Sequence, residues 1–539
     1  MQLASAGAAS TETARLYDVA IIGYGPTGAT LAGLLGRRGL TVLVADKATG
    51  IYPQPRAVGF DHDAMRIFQH VGIAEALAPH VAPFNDGEYL GVGGRVIRRL
   101  KRMAPPYPQG WSPGYTCDQP GVEAVLREAI AQMPTVTLML GYELTNFTQD
   151  ADRVCLALRD RAGNEHARAA RYLIGCDGAS SPVRHALGIG LENFDYDHAW
   201  AVVDVKVKPD HLGQLPPTNV QYCQPERPST FITCPGNHRR WEFMTLPGEE
   251  REGEISEEWL WELLSRWLRP GEAEIWRSAS YRFHALIAHQ WRLHRVLLAG
   301  DAAHQTPPFL GQGMCQGLRD AGNLAWKLDA VLRGHASETL LDSYTEERRP
   351  HVAETTRLAK EFGNIISERD PDQARRRDEA MLALGNGEAQ TLIRQELIPG
   401  LTTGFIAPDA PLAGKVFPQP DVQRTGDTKA VRLDDVTGPC WRLVMAGPVT
   451  EALAVAARRA GVAVVALEAS GAGGLQVQEH DGLLRAWLDA AGCNGALVRP
   501  DHYVFGACAS GIEAHRLLDQ LAASMELDAT VHEPASAAA

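Results

Sequence analysis

The chain has 539 residues, a hydrophobic content of 45% and a formal net charge of −13, which fits a globular protein of roughly two to four domains. The acidic balance disfavours a nucleic-acid partner, and no run of 18 uninterrupted apolar residues predicts a membrane span. The nine cysteines include no CxxC pair, which argues against a metal site or disulfide framework and favours the cytoplasm.

The first elements predicted are two buried strands around a glycine loop. Residues 1–16 lack the basic region and apolar core of a secretion signal, so we predict a disordered leader. Residues 18–22 are apolar and β-branched, which predicts a buried parallel strand. The glycine loop follows at once, then a predicted helix over 29–38 and a second strand over 41–45 that ends at Asp46.

The glycine loop has the form GxGxxG. Gly23 permits a tight turn, Gly25 lets the backbone approach a pyrophosphate, and Gly28 allows close helix–strand packing. The helix N-terminus favours anionic phosphates, and Asp46 is suited to bind ribose hydroxyls. The complete strand–loop–helix–strand–acid context favours a dinucleotide site over a structural glycine turn, and the acid favours FAD or NAD over NADP.

Helical and strand patterns then alternate up to residue 187. Asp177-Gly178 follows the last of the predicted strands. The stretch over 143–159 is typical of a hairpin. The predicted helices cover 61–71 and 119–132, and the predicted strands cover 135–140, 143–149, 153–159 and 171–175.

Residues 188–290 have a different sequence pattern. Stretches in which apolar and polar residues alternate predict a largely antiparallel sheet. Because this segment is inserted between two nucleotide signatures, we predict a separate lid domain over a ring placed between them. The predicted strands cover 199–207, 219–223, 230–234 and 241–246.

The second signature follows a core strand over 296–299. It reads Gly300-Asp301-Ala-Ala-His304, with Pro307-Pro308 and Gly311-Gln-Gly313 shortly after it. Helices predicted over 312–332 and 340–362 follow. We therefore predict one nucleotide-binding domain from residues 17–187 and 291–400.

The remainder of the chain is predicted to form a linker and a small domain. Residues 401–429 are rich in Pro and Gly, which indicates a linker. Residues 430–527 alternate strands and helices, which predicts a small α/β domain. The Ala-rich residues 528–539 are predicted to be a disordered tail.

Together these motifs resemble those of the FAD-dependent aromatic hydroxylases of the p-hydroxybenzoate hydroxylase fold, the class A flavoprotein monooxygenases. GxGxxG is Gly23 to Gly28, the DGxxSxVR motif is Asp177 to Arg184, and the Gly-Asp motif is Gly300-Asp301. Within the family, Pro55-Arg56-Ala57 and the residues around Cys315 look most like the 3-(3-hydroxyphenyl)propionate 3-hydroxylases. Many relatives carry Asn where this chain has Cys315.

The resemblance implies an α/β fold and a set of FAD contacts. The fold has a Rossmann-like FAD-binding domain, an inserted antiparallel-sheet substrate domain and a thioredoxin-like C-terminal domain without redox cysteines. Ser180 and Arg184 are further candidates, with helix capping and a solvated charge as alternatives. The implied FAD contacts are Gly23, Gly25, Gly28, Asp46, Arg56, Gln119, Asp177, Gly300, Asp301, Pro307, Gly311, Gly313 and Met314.

The resemblance also implies an activity. NADH or NADPH reduces FAD, O₂ is activated on the reduced flavin, and one oxygen atom enters a phenolic acid ortho to its hydroxyl to give a catechol. The expected substrates are 3-(3-hydroxyphenyl)propionate and 3-hydroxycinnamate. The alternatives are another phenol or a polycyclic polyketide, and a non-catalytic flavin-binding sensor. No metal, nucleic acid or membrane is expected as a partner, and a homodimer is possible.

The sequence says less about the substrate pocket than about the FAD site. His304 and Tyr222 are candidates to relay a proton or orient the phenol. Trp241 and Met244 are candidate pocket residues, with core packing as the alternative. Arg240, or its neighbour Arg239, is the candidate ligand of a substrate carboxylate, with a solvated loop charge as the alternative.

Overall fold

The computed structural model describes residues 15–249, 255–467 and 473–525. Most of the predicted leader and tail therefore lies outside the described residues. The described strands form four sheets of eight, nine, seven and three strands. Among the described residues, no helix is both long enough and apolar enough to cross a membrane.

The first sheet contains the predicted nucleotide-binding strands. Leu16–Ile22 lies at its centre, with Val42–Asp46 on one side and Glu165–Gly175 on the other, all parallel. Glu143–Gln149 and Val154–Arg159 form the predicted hairpin, which extends this sheet. Its other strands are Val136–Leu140, Val296–Leu298 and Arg292–Leu293.

The second sheet is larger than the predicted lid. Its longest strands are the antiparallel pair Leu191–Val207 and Ala273–Ala288, the latter not predicted. Four of its strands come from outside residues 188–290, so the lid is not a self-contained insertion. Those four are Gly87–Leu90, Val96–Lys101, His304–Gln305 and Gln390–Ile393, and the others are Asn219–Tyr222, Ser229–Thr233 and His238–Met244.

The helices of this region pack on the sheets and on one another. Pro26–Arg37 contacts Gly313–Leu332, a helix with a long buried face. The three-stranded sheet consists of Gly59–Asp61, Val81–Pro83 and Gly114–Cys117. The other α-helices are His62–Val71, Gln119–Ala131, Pro182–Ala186, Glu257–Leu264, Asp342–Ser367 and Pro371–Leu384.

The C-terminal region forms the seven-stranded sheet. Ala463–Leu467 and Arg442–Met445 are parallel, and the hairpin Gly495–Val498 and Val504–Cys508 continues the sheet antiparallel. The described residues of this region form a mixed α/β domain, and its thioredoxin-like character stays a prediction. The other strands are Val431–Arg432, Asp421–Arg424 and Leu475–Glu479, and the helices are Leu433–Thr437, Glu451–Arg459, Leu483–Ala490 and Gly511–Ser524.

The predicted linker over 401–429 is wrong in its second half. Phe417 and Val422 are fully buried in the C-terminal core, and Asp421–Arg424 is a strand of its sheet. Pro and Gly in this stretch had suggested a free connection, but apolar residues between them are drawn into the neighbouring core because burial offsets the loss of chain entropy.

Buried ion pairs join the C-terminal domain to the rest of the protein. Glu347 accepts hydrogen bonds from Arg499 at 2.7 and 2.9 Å and from Lys327 at 2.8 Å. Asp434 pairs with Arg66 at 2.6 Å. Because a buried charge is costly without its partner, these pairs fix the position of the domain.

Candidate active site

A continuous cavity of about 1650 Å³ lies between the first and second sheets. Its lining includes Gly25, Asp46, Asp177 and Asp301, together with residues of the second sheet. Pockets for a single small ligand span roughly 300–1,000 Å³, so this cavity has room for a dinucleotide and a second molecule.

The glycine loop forms a cradle at one end of the cavity. A Cβ atom on Gly28 would lie 2.1 Å from the Gly23 carbonyl oxygen, so the loop closes only with glycine there. A Cβ on Gly25 would have no atom within 4 Å, because Gly25 faces open space at the start of helix Pro26–Arg37. This space beside a helix N-terminus suits a pyrophosphate.

Asp46 lies beside this cradle at the end of its strand. Its Oδ2 accepts a hydrogen bond from the Tyr24 backbone N–H at 2.6 Å, and its Oδ1 accepts one from Ala48 N–H at 2.7 Å. Each carboxylate oxygen keeps a lone pair for a ribose hydroxyl. Arg127, which the sequence analysis missed, stacks 4.5 Å from the Tyr24 ring and also lines the cavity.

Gln119 shapes the loop that carries Arg56. Its Oε1 accepts hydrogen bonds from the backbone N–H groups of Arg56 at 3.0 Å and Ala57 at 2.5 Å. Arg56 is exposed, lines the cavity and stacks 4.5 Å from the Tyr52 ring. The structure therefore brings Arg56 and Gln119 to the cavity, with Gln119 engaged in holding the loop.

The two acidic motifs meet through Arg184. Its guanidinium donates to the carbonyl of Ala302 in the Gly-Asp loop and to the carbonyl of Ala179 in the Asp-Gly loop, each at 2.8 Å. Arg184 is buried and is therefore not a solvated charge. It ties together the loops that present Asp177 and Asp301 to the cavity.

Both of these carboxylates have raised pKa values. Desolvation raises the pKa of Asp301, and nearby His304 and Arg56 oppose the shift. Desolvation also raises the pKa of Asp177, whose buried Oδ1 has no hydrogen-bond partner among the described residues. Asp177 Oδ1 and the Asp301 carboxylate, which accept no hydrogen bond from the part of the chain that the structure describes, are suited to hydroxyl donors of a bound ligand.

His304 does not line the cavity, contrary to its predicted catalytic role. It is buried, stacks on Trp291 and pairs through Nε2 with Asp320 at 2.7 Å. Asp320 also accepts the Gly300 backbone N–H at 2.9 Å and pairs with Arg348 at 2.9 Å. His304 thus supports the turn that presents Asp301.

The loop after this turn brings a long helix to the cavity. Gly311 adopts φ +62°, and the helix Gly313–Leu332 begins two residues later with Gly313 and Met314 on the cavity wall. The helix N-terminus is positively polarised and favours electron-rich atoms. Pro307, in the same loop, is buried and does not line the cavity. Gly23 of the glycine loop does line it.

The opposite wall is a row of polar side chains across the second sheet. Tyr89 pairs in register with Gln221, Gln221 with Thr230, and Thr230 with Glu242. Direct cross-strand neighbours share a face of a sheet, and all four line the cavity. The sequence analysis missed this row.

Two predicted site residues lie on the far face of the second sheet. Tyr222 and Trp241 pack in the apolar cluster behind the sheet, and the Tyr222 hydroxyl accepts a hydrogen bond from Trp267. Side chains alternate between faces, so the residues next to these two point at the cavity instead. Met244 shares the face of Glu242 but is buried in another cluster and does not line the cavity.

Arg240 lines the cavity but is not free to bind a carboxylate. Its guanidinium holds both oxygens of Asp204 at 2.8 Å and donates to the carbonyls of Pro55 and Arg56. Arg239 donates to backbone carbonyls and does not line the cavity. The predicted role of either arginine as carboxylate ligand therefore does not fit the structure.

Arg394 is a cavity cation that the sequence analysis missed. It is half-buried, stacks 4.6 Å from Phe84 and donates to the carbonyl of Leu310 at 2.6 Å. Among the described residues, no carboxylate forms an ion pair with it. It lies directly after strand Gln390–Ile393, which joins the sheet from far along the chain.

A glycine cradle, an acid for a ribose and a second acidic loop on one cavity define a flavoprotein. The FAD binding domain family matches residues 16–359, and the HcaD C-terminal domain family matches residues 414–524. The chain belongs to the FAD-dependent aromatic hydroxylases that carry this FAD binding domain.

Relatives match along most of the chain. A probable NADH-specific resorcinol 4-hydroxylase of Rhodococcus jostii is 37% identical over 95% of this chain and 96% of its own length. A 3-(3-hydroxy-phenyl)propionate/3-hydroxycinnamic acid hydroxylase of Burkholderia vietnamiensis is 33% identical over 90% of this chain and 93% of its own length. The enzyme of the same name from Comamonas testosteroni is 38% identical over 68% of this chain and 62% of its own length.

Solved structures share the fold at lower identity. The flavin-dependent monooxygenase PieE, in complex with FAD and substrate, superposes with a TM-score of 0.80 and 22% identity over 95% of this chain and all of its own. Aklavinone-11 hydroxylase with FAD and aklavinone superposes with a TM-score of 0.75 and 23% identity. The superposition covers 94% of this chain and 98% of that chain. The predicted α/β fold, family and FAD cofactor are confirmed.

Proposed function

We propose that this protein is an NADH-using FAD monooxygenase that hydroxylates a phenol carrying a polar group at the meta position. Resorcinol, 3-(3-hydroxyphenyl)propionate and 3-hydroxycinnamic acid, which appear in the names of its relatives, all have this pattern. NADH is favoured over NADPH because the name of the Rhodococcus relative specifies it.

The proposed substrate is a phenolic acid such as 3-(3-hydroxyphenyl)propionate. The observation that carries this choice is Arg394, a half-buried cation on the cavity wall without a carboxylate partner among the described residues. Such a guanidinium binds a carboxylate through charge-assisted hydrogen bonds. The carboxylate of the side chain would lie there, near the unpaired hydroxyl of Tyr89.

The cofactor contacts follow from the cavity lining. When bound, FAD would carry electrons from NADH to O₂ and so activate the O₂ molecule, one atom of which enters the ring. Gly25 and the helix behind it would hold the pyrophosphate, Asp46 the adenosine ribose, and Asp301 the ribitol. The second sheet would exclude water from the reacting ring.

Resorcinol is the alternative substrate. The Rhodococcus relative matches nearly the full length of both chains, and resorcinol carries no carboxylate. A polycyclic polyketide is favoured only by the shared fold of the solved structures. A flavin-binding sensor would show no NADH oxidation stimulated by phenols. A homodimer and a cytoplasmic location stay predictions.

Replacing Arg394 separates the two substrates. We expect Arg394→Met to lower kcat/KM for 3-(3-hydroxyphenyl)propionate about 100-fold, since a charged hydrogen bond contributes about 1.5–3 kcal/mol. Resorcinol turnover should change less than about threefold. Coupled NADH oxidation and catechol formation measure both substrates.

Two further variants serve as controls for this experiment. Arg394→Lys should keep part of the preference for the acid because the charge remains. Arg99→Met removes a cation that pairs with Glu88 away from the cavity and should have no effect. Equal losses for the acid and for resorcinol in Arg394→Met would contradict recognition of a carboxylate. If no meta-substituted phenol stimulated NADH oxidation by the wild type, the proposed function itself would be contradicted.

A further inference from the structure

Glu242 is a buried carboxylate on the substrate side of the cavity. It lies in the middle of strand His238–Met244, between Thr230 on one neighbouring strand and Val202 on the other. Only 6% of the residue is exposed, yet it lines the cavity together with both neighbours. Its side chain therefore faces the space opposite the flavin loops.

The protein gives this carboxylate no hydrogen-bond donor among the described residues. Its nearest cation is Arg240, whose Nη1 lies 4.0 Å from Oε1, beyond hydrogen-bonding distance. Arg240 is already held by Asp204 and by two backbone carbonyls. Because Glu242 faces the cavity, the hydrogen-bond donors for its carboxylate must come from molecules inside the cavity.

The side chains on the neighbouring strands do not donate a hydrogen bond to Glu242. Thr230 donates its hydroxyl to Gln221 at 2.5 Å, so it points along the row and away from Glu242. On the other side, Val202 has no polar side-chain atom. The free oxygens of Glu242 are thus available to a molecule in the cavity.

We propose that Glu242 accepts the hydroxyl hydrogen bond of the substrate phenol and removes its proton during hydroxylation. This assignment rests on the proposed function. A phenol supplies the O–H donor that the carboxylate lacks and an apolar ring that suits Val202 and Phe283 on the same wall. Glu242 is thereby a catalytic residue, and it selects phenols over benzenes without a hydroxyl.

The proton and electron balance of the step is simple. The phenol O–H bond breaks, its proton moves to Glu242, and the electron pair left on oxygen enriches the ortho carbon. That carbon forms the new C–O bond with one atom of an O₂ molecule that has received two electrons from NADH. The O–O bond breaks, and its electron pair leaves with the other oxygen atom. The ring hydrogen then leaves as a proton to the oxygen that becomes water, and Glu242 returns its proton to the phenol oxygen.

The charges around Glu242 determine its pH dependence. Burial raises its pKa, Arg240 lowers it, Asp204 raises it and Arg277 lowers it, with a net upward shift. These groups lie on its own strand and on the two strands Leu191–Val207 and Ala273–Ala288. Since the carboxylate is the acceptor, phenol affinity should fall as pH is lowered through this raised pKa.

The test uses ligand binding to the oxidised holoenzyme, followed by the change in flavin absorbance without NADH. The ligands are 3-(3-hydroxyphenyl)propionate and 3-phenylpropionate, which differ only in the hydroxyl. In the wild type, the phenol should bind more tightly and lose affinity at low pH. In Glu242→Gln, we expect about tenfold weaker phenol binding and unchanged binding of 3-phenylpropionate. The loss of phenol affinity at low pH should be absent in this variant.

Turnover and stability give independent readouts. We expect kcat of Glu242→Gln to fall about 100-fold or more, the range of general-base catalysis. Its melting temperature should equal or exceed that of the wild type, because an unpaired buried carboxylate is removed. Glu274→Gln, an exposed carboxylate that does not line the cavity, should behave as wild type.

The possible failures are distinguishable. If Glu242→Gln keeps the wild-type preference for the phenol and still loses phenol affinity at low pH, the assignment of Glu242 is wrong while the proposed function stands. If the wild-type holoenzyme binds and oxidises no meta-substituted phenol, including resorcinol, the proposed function and the assignment both fail.

Discussion

The Gly28→Val variant is expected to be isolated without FAD. A Cβ at this position would lie 2.1 Å from the Gly23 carbonyl oxygen and 3.2 Å from the Cys176 Cβ, so the backbone of the loop must move. Moving the loop displaces the N–H groups that face the cavity. We expect at least about a 1000-fold loss of FAD affinity, which corresponds to about 4 kcal/mol.

Matched glycine variants separate folding from cofactor binding in this experiment. Gly25→Ala meets no protein atom within 4 Å, so the apoprotein should melt like the wild type. Its methyl group nevertheless enters the space proposed for the pyrophosphate and should weaken FAD binding. Gly213→Ala, also without close neighbours and outside the cavity lining, should change neither property. FAD titration of apoproteins and thermal melts measure both effects.

The outcome for Gly25→Ala is informative about the cofactor position. Wild-type FAD affinity in Gly25→Ala and Gly28→Val alike would place the phosphates elsewhere in the cavity. Loss of folding in Gly28→Val without loss of FAD affinity in Gly25→Ala would assign the loop a structural role alone. The glycine cradle as phosphate site predicts an effect on affinity in both variants.

Removing the Glu347 carboxylate should loosen the C-terminal domain. Glu347 is fully buried and is the shared partner of Lys327 and Arg499. Glu347→Gln leaves these cations partly unpaired, which we expect to cost about 3–5 kcal/mol, the range measured for broken buried ion pairs. Earlier thermal unfolding and faster proteolysis near residues 400–416 would report the change.

The pH dependence of this variant has a definite sign. Burial lowers the pKa of Lys327 to about 8, while Glu347 holds it up. Without Glu347 the folded-state pKa falls further below the unfolded value, so the unfolded state binds more protons. The stability of Glu347→Gln should therefore rise with pH, and its deficit against the wild type should narrow as the pH rises toward about 8.

The neighbouring residue provides the control for this prediction. Glu346 is exposed, and Glu346→Gln should change stability by no more than about 0.5 kcal/mol. Equal melting curves for Glu347→Gln and the wild type would show that the buried pairs do not hold the domain. Normal FAD binding in Glu347→Gln is expected, because Glu347 does not line the cavity.

The sequence predicted the cofactor half of the site better than the substrate half. The glycine loop, Asp46, Asp177 and Asp301 belong to short motifs whose spacing alone places them at strand ends. The strand ends then meet at one edge of a parallel sheet, so local sequence is sufficient. The structure brings all of these residues to one cavity.

The substrate half depends on pairing between distant segments. Trp241 and Met244 were correctly placed in a strand of the lid, but the face that each presents was not determined. Charged residues such as Arg240 and Glu242 are mostly exposed in proteins, yet both are buried here. A period-two pattern defines two faces and does not say which one meets the cofactor.

The sequence by itself determined the family, the FAD-binding motifs and most of the strands and helices. Only the tertiary structure decided that Glu242 and Arg394 share a chamber and that His304 supports a turn rather than reaching substrate. The physical reason is that motif geometry is local, within one strand and its loop. The substrate wall is assembled from strands near residues 90, 220, 240 and 390, whose pairing only the folded chain establishes.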